Sequence, residues 1–224
     1  MSNLLKLDVI DADGAVREAA EAAGIDRSDF LKKSVLAGGG LLAGSAIFTQ
    51  YLSSAEAAIS TTRLSKGNDV KILNFALTLE FLEAAFYRQA VANAVFGTDT
   101  VLEKFTVTVL QHETTHVKFL KKALGSKAIK SPKFDFGDTV TDKAKFAATA
   151  QLLEDTGVTA YLGQVANISQ AGVLASAGTI ATVEARHAAW IRFINGAVPA
   201  PAAFDKRKTE KSILSAVTAT GFIQ

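Results

Sequence analysis

The chain has 224 residues, 49% of them hydrophobic, and a formal charge of +2. That length suits one domain with an appendage and enough apolar material for a core. It has no cysteine, which excludes disulfides, thiolate chemistry and cysteine-type zinc sites.

Residues 1–57 hold five basic and eight acidic side chains, which leaves 19 basic against 14 acidic, or +5, on the remainder. A mild excess without a basic-aromatic cluster argues against nucleic acid as a partner. At the start of the chain, Asp11 to Ala23 suits a short amphipathic helix that Gly24 would end. Asp26-Arg27-Ser28-Asp29-Phe30-Leu31-Lys32-Lys33 then precedes a moderately apolar run over 34–52, and Ala55-Glu56-Ala57 closes it. A basic flank, an apolar stretch and a small-x-small end are the three parts of a secretory signal. The segment resembles a twin-arginine export signal, with Arg27 at the first arginine and Ser28 in the second's place. Residues 1–57 are therefore expected to be an export signal or an anchor. A functioning signal implies the periplasm or cell envelope; without it the protein is cytoplasmic or membrane-anchored. Membrane association would run through 34–52, a stretch of marginal length for a span.

Four long helices follow. From Asp69 to about Val95 the apolar residues Ile72, Phe75, Leu79, Leu82, Phe86 and Ala90 recur at helical spacing, with Asn68 or Asp69 as cap and Gly97 beyond the end. The second runs from about Thr100 to Leu124, capped by Asp99 and closed by Gly125. Residues 125–141, with Pro132, read as a long connection. The third helix is predicted from Asp142 to about Ser169 and the fourth from about Val173 to Ile194. Residues 197–224 form a tail, expected to pack on the bundle, with a short helix over 212–220. Two helix pairs joined by one long connection make an all-α four-helix bundle over 66–196.

Two of the three histidines close a Glu-x-x-His step, Glu113/His116 and Glu184/His187. The two helix pairs repeat: Glu80 precedes Tyr87 by seven residues, and Glu154 precedes Tyr161 by seven. This match selects Glu80 over nearby Glu83, whose counterpart in the third helix is Gly157. Residues three apart share a helix face, so each Glu and His can reach one ion. Four carboxylates and two imidazoles form the ligand set known for di-iron and di-manganese carboxylate bundles. Four carboxylates also balance two divalent cations in an apolar core, and without metal they would repel. Oxygen and imidazole donors without thiolate suit iron or manganese. Glu83 is expected beside the ligands, as an entry carboxylate or paired core charge rather than a ligand. His112 is expected to be partly exposed or just outside the ligands rather than a ligand, Arg186 turned away to a carboxylate or solvent, and Trp190 and Phe119 in core packing.

Ala76-Leu-Thr-Leu-Glu80-Phe-Leu-Glu83-Ala-Ala-Phe86-Tyr87 and the two Glu-x-x-His helices resemble the ferritin-like superfamily. More narrowly they are similar to its desiccation-related group, as is the tail Pro201-Ala-Ala-Phe204-Asp205. The resemblance implies a ferritin-like bundle holding two Fe or two Mn ions through Glu80, Glu113, His116, Glu154, Glu184 and His187. Spacing leaves open which carboxylates bridge; in the pattern they come more often from the Glu-x-x-His helices, here Glu113 and Glu184. Tyr87 and Tyr161 would stand just outside the ligands, as hydrogen-bond donors, redox-active phenols or plain core residues. The implied activity is oxidation of ferrous iron, or reaction with dioxygen or peroxide, in stress protection. The other readings are manganese-catalase-type peroxide dismutation and a non-catalytic structural role.

Overall fold

A computed structural model describes residues 59–224. The export signal or anchor expected over 1–57 lies outside the described residues. Among the described residues five α-helices follow one another: α1 (Lys66–Ala92), α2 (Thr100–Leu124), α3 (Lys143–Gln164), α4 (Ala171–Ile194) and α5 (Glu210–Thr220). α1 packs chiefly on α2 and α3 on α4, and the two hairpins meet through α1 against α3 and α2 against α4. The architecture is an all-helical bundle with its long connection between the second and third helices. No helix among the described residues is long and apolar enough to cross a membrane.

Local chemistry sets the helix starts. Asp99 caps α2 by accepting from the Leu102 amide, and Asp142 caps α3 by accepting from the Lys145 amide. The cap of α1 is Ser65, whose side chain accepts from the Asn68 amide, rather than the expected Asn68 or Asp69. Those two side chains serve longer-range partners. Asn68 donates to the carbonyl of Asn167. Asp69, 1% exposed, accepts from the Ser169 amide at 2.7 Å, the Ser169 hydroxyl at 2.8 Å and the Gln170 amide at 3.0 Å. The carboxylate of α1 therefore stabilises the start of α4, where Gln170 stands at the cap without a side-chain cap bond. This explains why the third helical segment stops at Gln164 and passes through a 3-10 turn, Val165–Asn167, instead of running to Ser169. Asp69→Ala removes a buried charged acceptor and is expected to cost about 2 kcal/mol in denaturant unfolding. A loss within a few tenths of wild type would show that water replaces it.

The core gathers at the crossing of α1, α3 and the connection. Phe86 stacks on Phe146 at 5.2 Å and meets Phe136 edge-on at 5.3 Å, and Phe136 meets Phe222 at 5.2 Å. The chain end is tied to the connection: the Asp135 amide donates to the Phe222 carbonyl, and the Gln224 amide to that of Lys133. On the way there the tail crosses α3, where the Lys208 amide donates to the Thr159 carbonyl. The crossing needs a glycine at 163, because a Cβ there would lie 1.9 Å from the Lys208 carbonyl oxygen. Phe119 departs from the core packing expected of it: it is 41% exposed. It lies one position short of the inward row formed by Glu113, His116 and Leu120, at a small apolar cavity that Tyr161 also lines.

Candidate metal centre

Six side chains meet at the centre of the bundle. α1 supplies Glu80, α2 Glu113 and His116, α3 Glu154, and α4 Glu184 and His187. The four glutamates show no exposure, His116 shows 9% and His187 2%. Their positions follow from helical periodicity: Glu113 and His116 share the inward face of α2 with Val109 and Leu120, and Glu184 and His187 share that of α4 with Ile180 and Ile191.

The donor atoms form two groups, Glu80, Glu113, His116 and Glu184, and Glu113, Glu154, Glu184 and His187, each within 4.8 Å. In the first, His116 Nδ1 lies 3.2 Å from Glu80 Oε2, 3.1 Å from Glu113 Oε2 and 3.1 Å from Glu184 Oε1. In the second, His187 Nδ1 lies 3.1 Å from Glu113 Oε1, 3.2 Å from Glu154 Oε2 and 3.6 Å from Glu184 Oε2. Glu113 and Glu184 thus each send one oxygen to each group, while Glu80 and Glu154 serve one group apiece.

The remaining oxygens of Glu80 and Glu154 are held from across the bundle. Tyr87 of α1 donates to Glu154 Oε1, and Tyr161 of α3 donates to Glu80 Oε1. Both phenols are buried and hydrogen-bonded, so they are more than inert packing. Glu83, 3% exposed, stands beside the six but belongs to neither group. Its Oε1 occupies space left by Gly157, where a Cβ would come within 3.3 Å of it and 3.4 Å of Glu184 Oε2. His112 points at the back of His187, Nδ1 to Nε2 at 2.8 Å. Arg186 lines a cleft between α2 and α4 together with all three histidines. Trp190 meets Phe105 edge-on at 5.4 Å.

Residues 68–197 match the family model of the ferritin-like domain. The chain belongs to the ferritin-like domain family. Comparison with curated proteins finds no match.

Does this ferritin-like domain fit a metal? Neighbouring ligands of a six-coordinate ion with bonds of about 2.0–2.1 Å stand roughly 3 Å apart. Five of the six nitrogen–oxygen separations fall at 3.1–3.2 Å. Glu113 Oε1, Glu154 Oε2, both oxygens of Glu184 and His187 Nδ1 are buried without a hydrogen-bond partner. Orphaned buried polar atoms of this kind are costly and rare. A cation satisfies them together, and the all-oxygen-and-imidazole set suits iron or manganese. The residues present therefore fit metal ions.

With protein groups alone, the ferritin-like centre is electrostatically crowded. Burial, reinforced by Glu113, holds the Glu80 carboxyl well above the usual carboxylate range, and burial reinforced by Glu184 does the same at Glu83. Burial raises Glu154 to about 8 against the pull of His187. At Glu113 burial also pushes upward, but the hydrogen-bonded His116 and the neighbouring His187 prevail and bring it to about 2. Burial disfavours charge on His116 and His187, yet their glutamate neighbours outweigh it and raise both to about 12. Without a cation the centre is held together by protons.

Proposed function

We propose that this ferritin-like protein holds two iron or manganese ions and reacts with dioxygen or peroxide, oxidising ferrous iron or removing the oxidant in stress protection. The observation that carries the reading is the sharing of Glu113 and Glu184, each with one oxygen toward each group. On it, Glu113 and Glu184 would be shared between the two ions, Glu80 and His116 would help hold one, and Glu154 and His187 the other. When bound, such ions supply a redox couple for electron transfer to a small oxidant. Tyr87 and Tyr161 fix the outer oxygens of Glu154 and Glu80, so each carboxylate presents its other oxygen inward. Burial keeps both phenols protonated well beyond their usual range, as hydrogen-bond donors.

A reactive centre, rather than ions that merely hold the bundle shut, is favoured by the cleft of about 400 Å³ that opens at His116 and His187 between α2 and α4. It gives a small oxidant a way in. Manganese-catalase-type dismutation uses the same access and ligand set. Kinship with the desiccation-related group, and export directed by residues 1–57, belong to the same reading of a protective envelope protein.

Elemental analysis of protein purified from its native host tests the reading, with about two iron or manganese ions per chain expected. Anaerobic loading with ferrous iron, followed by oxygen or peroxide, should then give stoichiometric oxidation. No bound metal and no uptake on reconstitution would refute the dimetal centre, and metal without turnover would leave the structural role.

A further inference from the structure

The two histidines of the centre differ on the side of the ring that faces away from the carboxylates. His187 is buried, and its Nε2 lies 2.8 Å from His112 Nδ1. The two rings stack at 5.1 Å with 19° between their planes. His112 itself is exposed beside the α2–α4 cleft. In the repeat that pairs Glu113 with Glu184 and His116 with His187, the counterpart of His112 is Val183, which offers no acceptor.

The proton between His112 and His187 can be assigned from the other end of the ring. A nitrogen that ligates a cation offers its lone pair, so the neutral imidazole keeps its one proton on the second nitrogen. His187 Nδ1 faces Glu113, Glu154 and Glu184. In a loaded centre its proton therefore sits on Nε2 and is donated to His112 Nδ1, and His112 carries its own proton on Nε2. An imidazole without a partner at Nε2 is free to rotate, and binding must fix its orientation. A ring already held in the ligating form spares that cost.

We infer that His112 is a positioning residue that holds His187 in its Nε2–H form and makes the two ion positions unequal, the His187 position binding the tighter ion. The inference rests on the dimetal reading and adds to it an order of filling.

Calorimetric titration of metal-free, full-length protein with Mn(II) alone tests it, across wild type, His112→Val and His112→Gln. Wild type should fill in two separable steps. His112→Val, which copies the Val183 side, should weaken the tighter step by about 10- to 100-fold and draw the two together. His112→Gln, whose amide oxygen can accept the same proton, should restore most of the difference. Nitrogen-resolved imidazole NMR of the metal-free proteins gives a second readout. A protected His187 Nε2–H signal is expected in wild type and His112→Gln and is lost in His112→Val. Two equal steps in wild type, unchanged steps in His112→Val, or a folded His112→Gln as weak as the valine variant would each overturn the inference while leaving the dimetal centre standing. A wild-type protein that takes up no Mn(II) would instead overturn the dimetal reading, and the order of filling with it.

Discussion

Glu113→Ala is expected to empty both ion positions, whereas His187→Ala is expected to empty one. The asymmetry follows from the way the oxygens are shared. Glu113 Oε2 faces His116 and Glu113 Oε1 faces His187, so truncation removes a ligand from both groups. His187 belongs to one group only. A ligand in hundredfold excess over its dissociation constant stabilises the native state by about 2.7 kcal/mol per site, and one kcal/mol moves the melting point of a chain this size by about 2–4 °C. Wild type should therefore gain roughly 10–20 °C on loading two ions, His187→Ala about half of that, and Glu113→Ala almost none. Elemental stoichiometry and thermal melts with and without Mn(II) check the series. Two ions retained in Glu113→Ala would sink the shared-carboxylate model.

The metal-free protein is expected to become less stable as the pH rises, opposite to the usual behaviour of a domain whose carboxylates are salt-bridged. Glu154 holds its proton to about pH 8 in the fold but releases it near 4.5 when unfolded. The native state then binds more protons than the unfolded chain between these values, so stability falls through that window. Glu80 and Glu83 are shifted in the same direction. His116 and His187, raised to about 12, add stability that is complete below their unfolded value of 6.5 and is lost as the pH climbs above it. Glu113, depressed to about 2, contributes stability present above about 4.5 and lost only in stronger acid. All these effects agree in sign from pH 5 upward. A melting temperature lower by about 10 °C at pH 8 than at pH 5 is expected in the presence of a chelator. Added Mn(II) should reverse the trend, because ions displace those protons and bind better as the pH rises. A chelated protein whose melting point is flat or rising over this range would show that the glutamates are ionised without metal.

What could be read from the sequence was whatever repeats along a single helix. The Glu-x-x-His steps, the seven-residue Glu–Tyr spacing and the apolar rows of α1 and α2 are local, and periodicity alone turns them inward. Glu80, Glu113, His116, Glu154, Glu184 and His187 meet because four such rows face one another. The features that escaped depend on which helices are neighbours. Asp69 looks like a cap for its own helix, but its partners lie 100 and 101 residues away. His112 lies on the same helix as His116, yet it bonds His187 across the α2–α4 boundary. The pairing of Phe134 with Ile223, at the very end of the chain, leaves no periodic trace at all. Phe119 was misplaced because an aromatic at helical spacing fits a flank as well as a core.

Neither hairpin contains a finished half of the centre. The group around His116 takes three residues from α1 and α2 and Glu184 from α4, and the group around His187 takes three from α3 and α4 and Glu113 from α2. Each phenol likewise holds a glutamate of the opposite hairpin. Helices and hairpins can form early from local contacts, but closure across the 125–141 connection brings together residues 67 to 81 positions apart and is the slow, long-range step. Docking of the hairpins is thus the event that both buries the carboxylates and creates a place for cations. Until then the chain offers only partial chelates, so the full ligand set exists only once the two hairpins have docked.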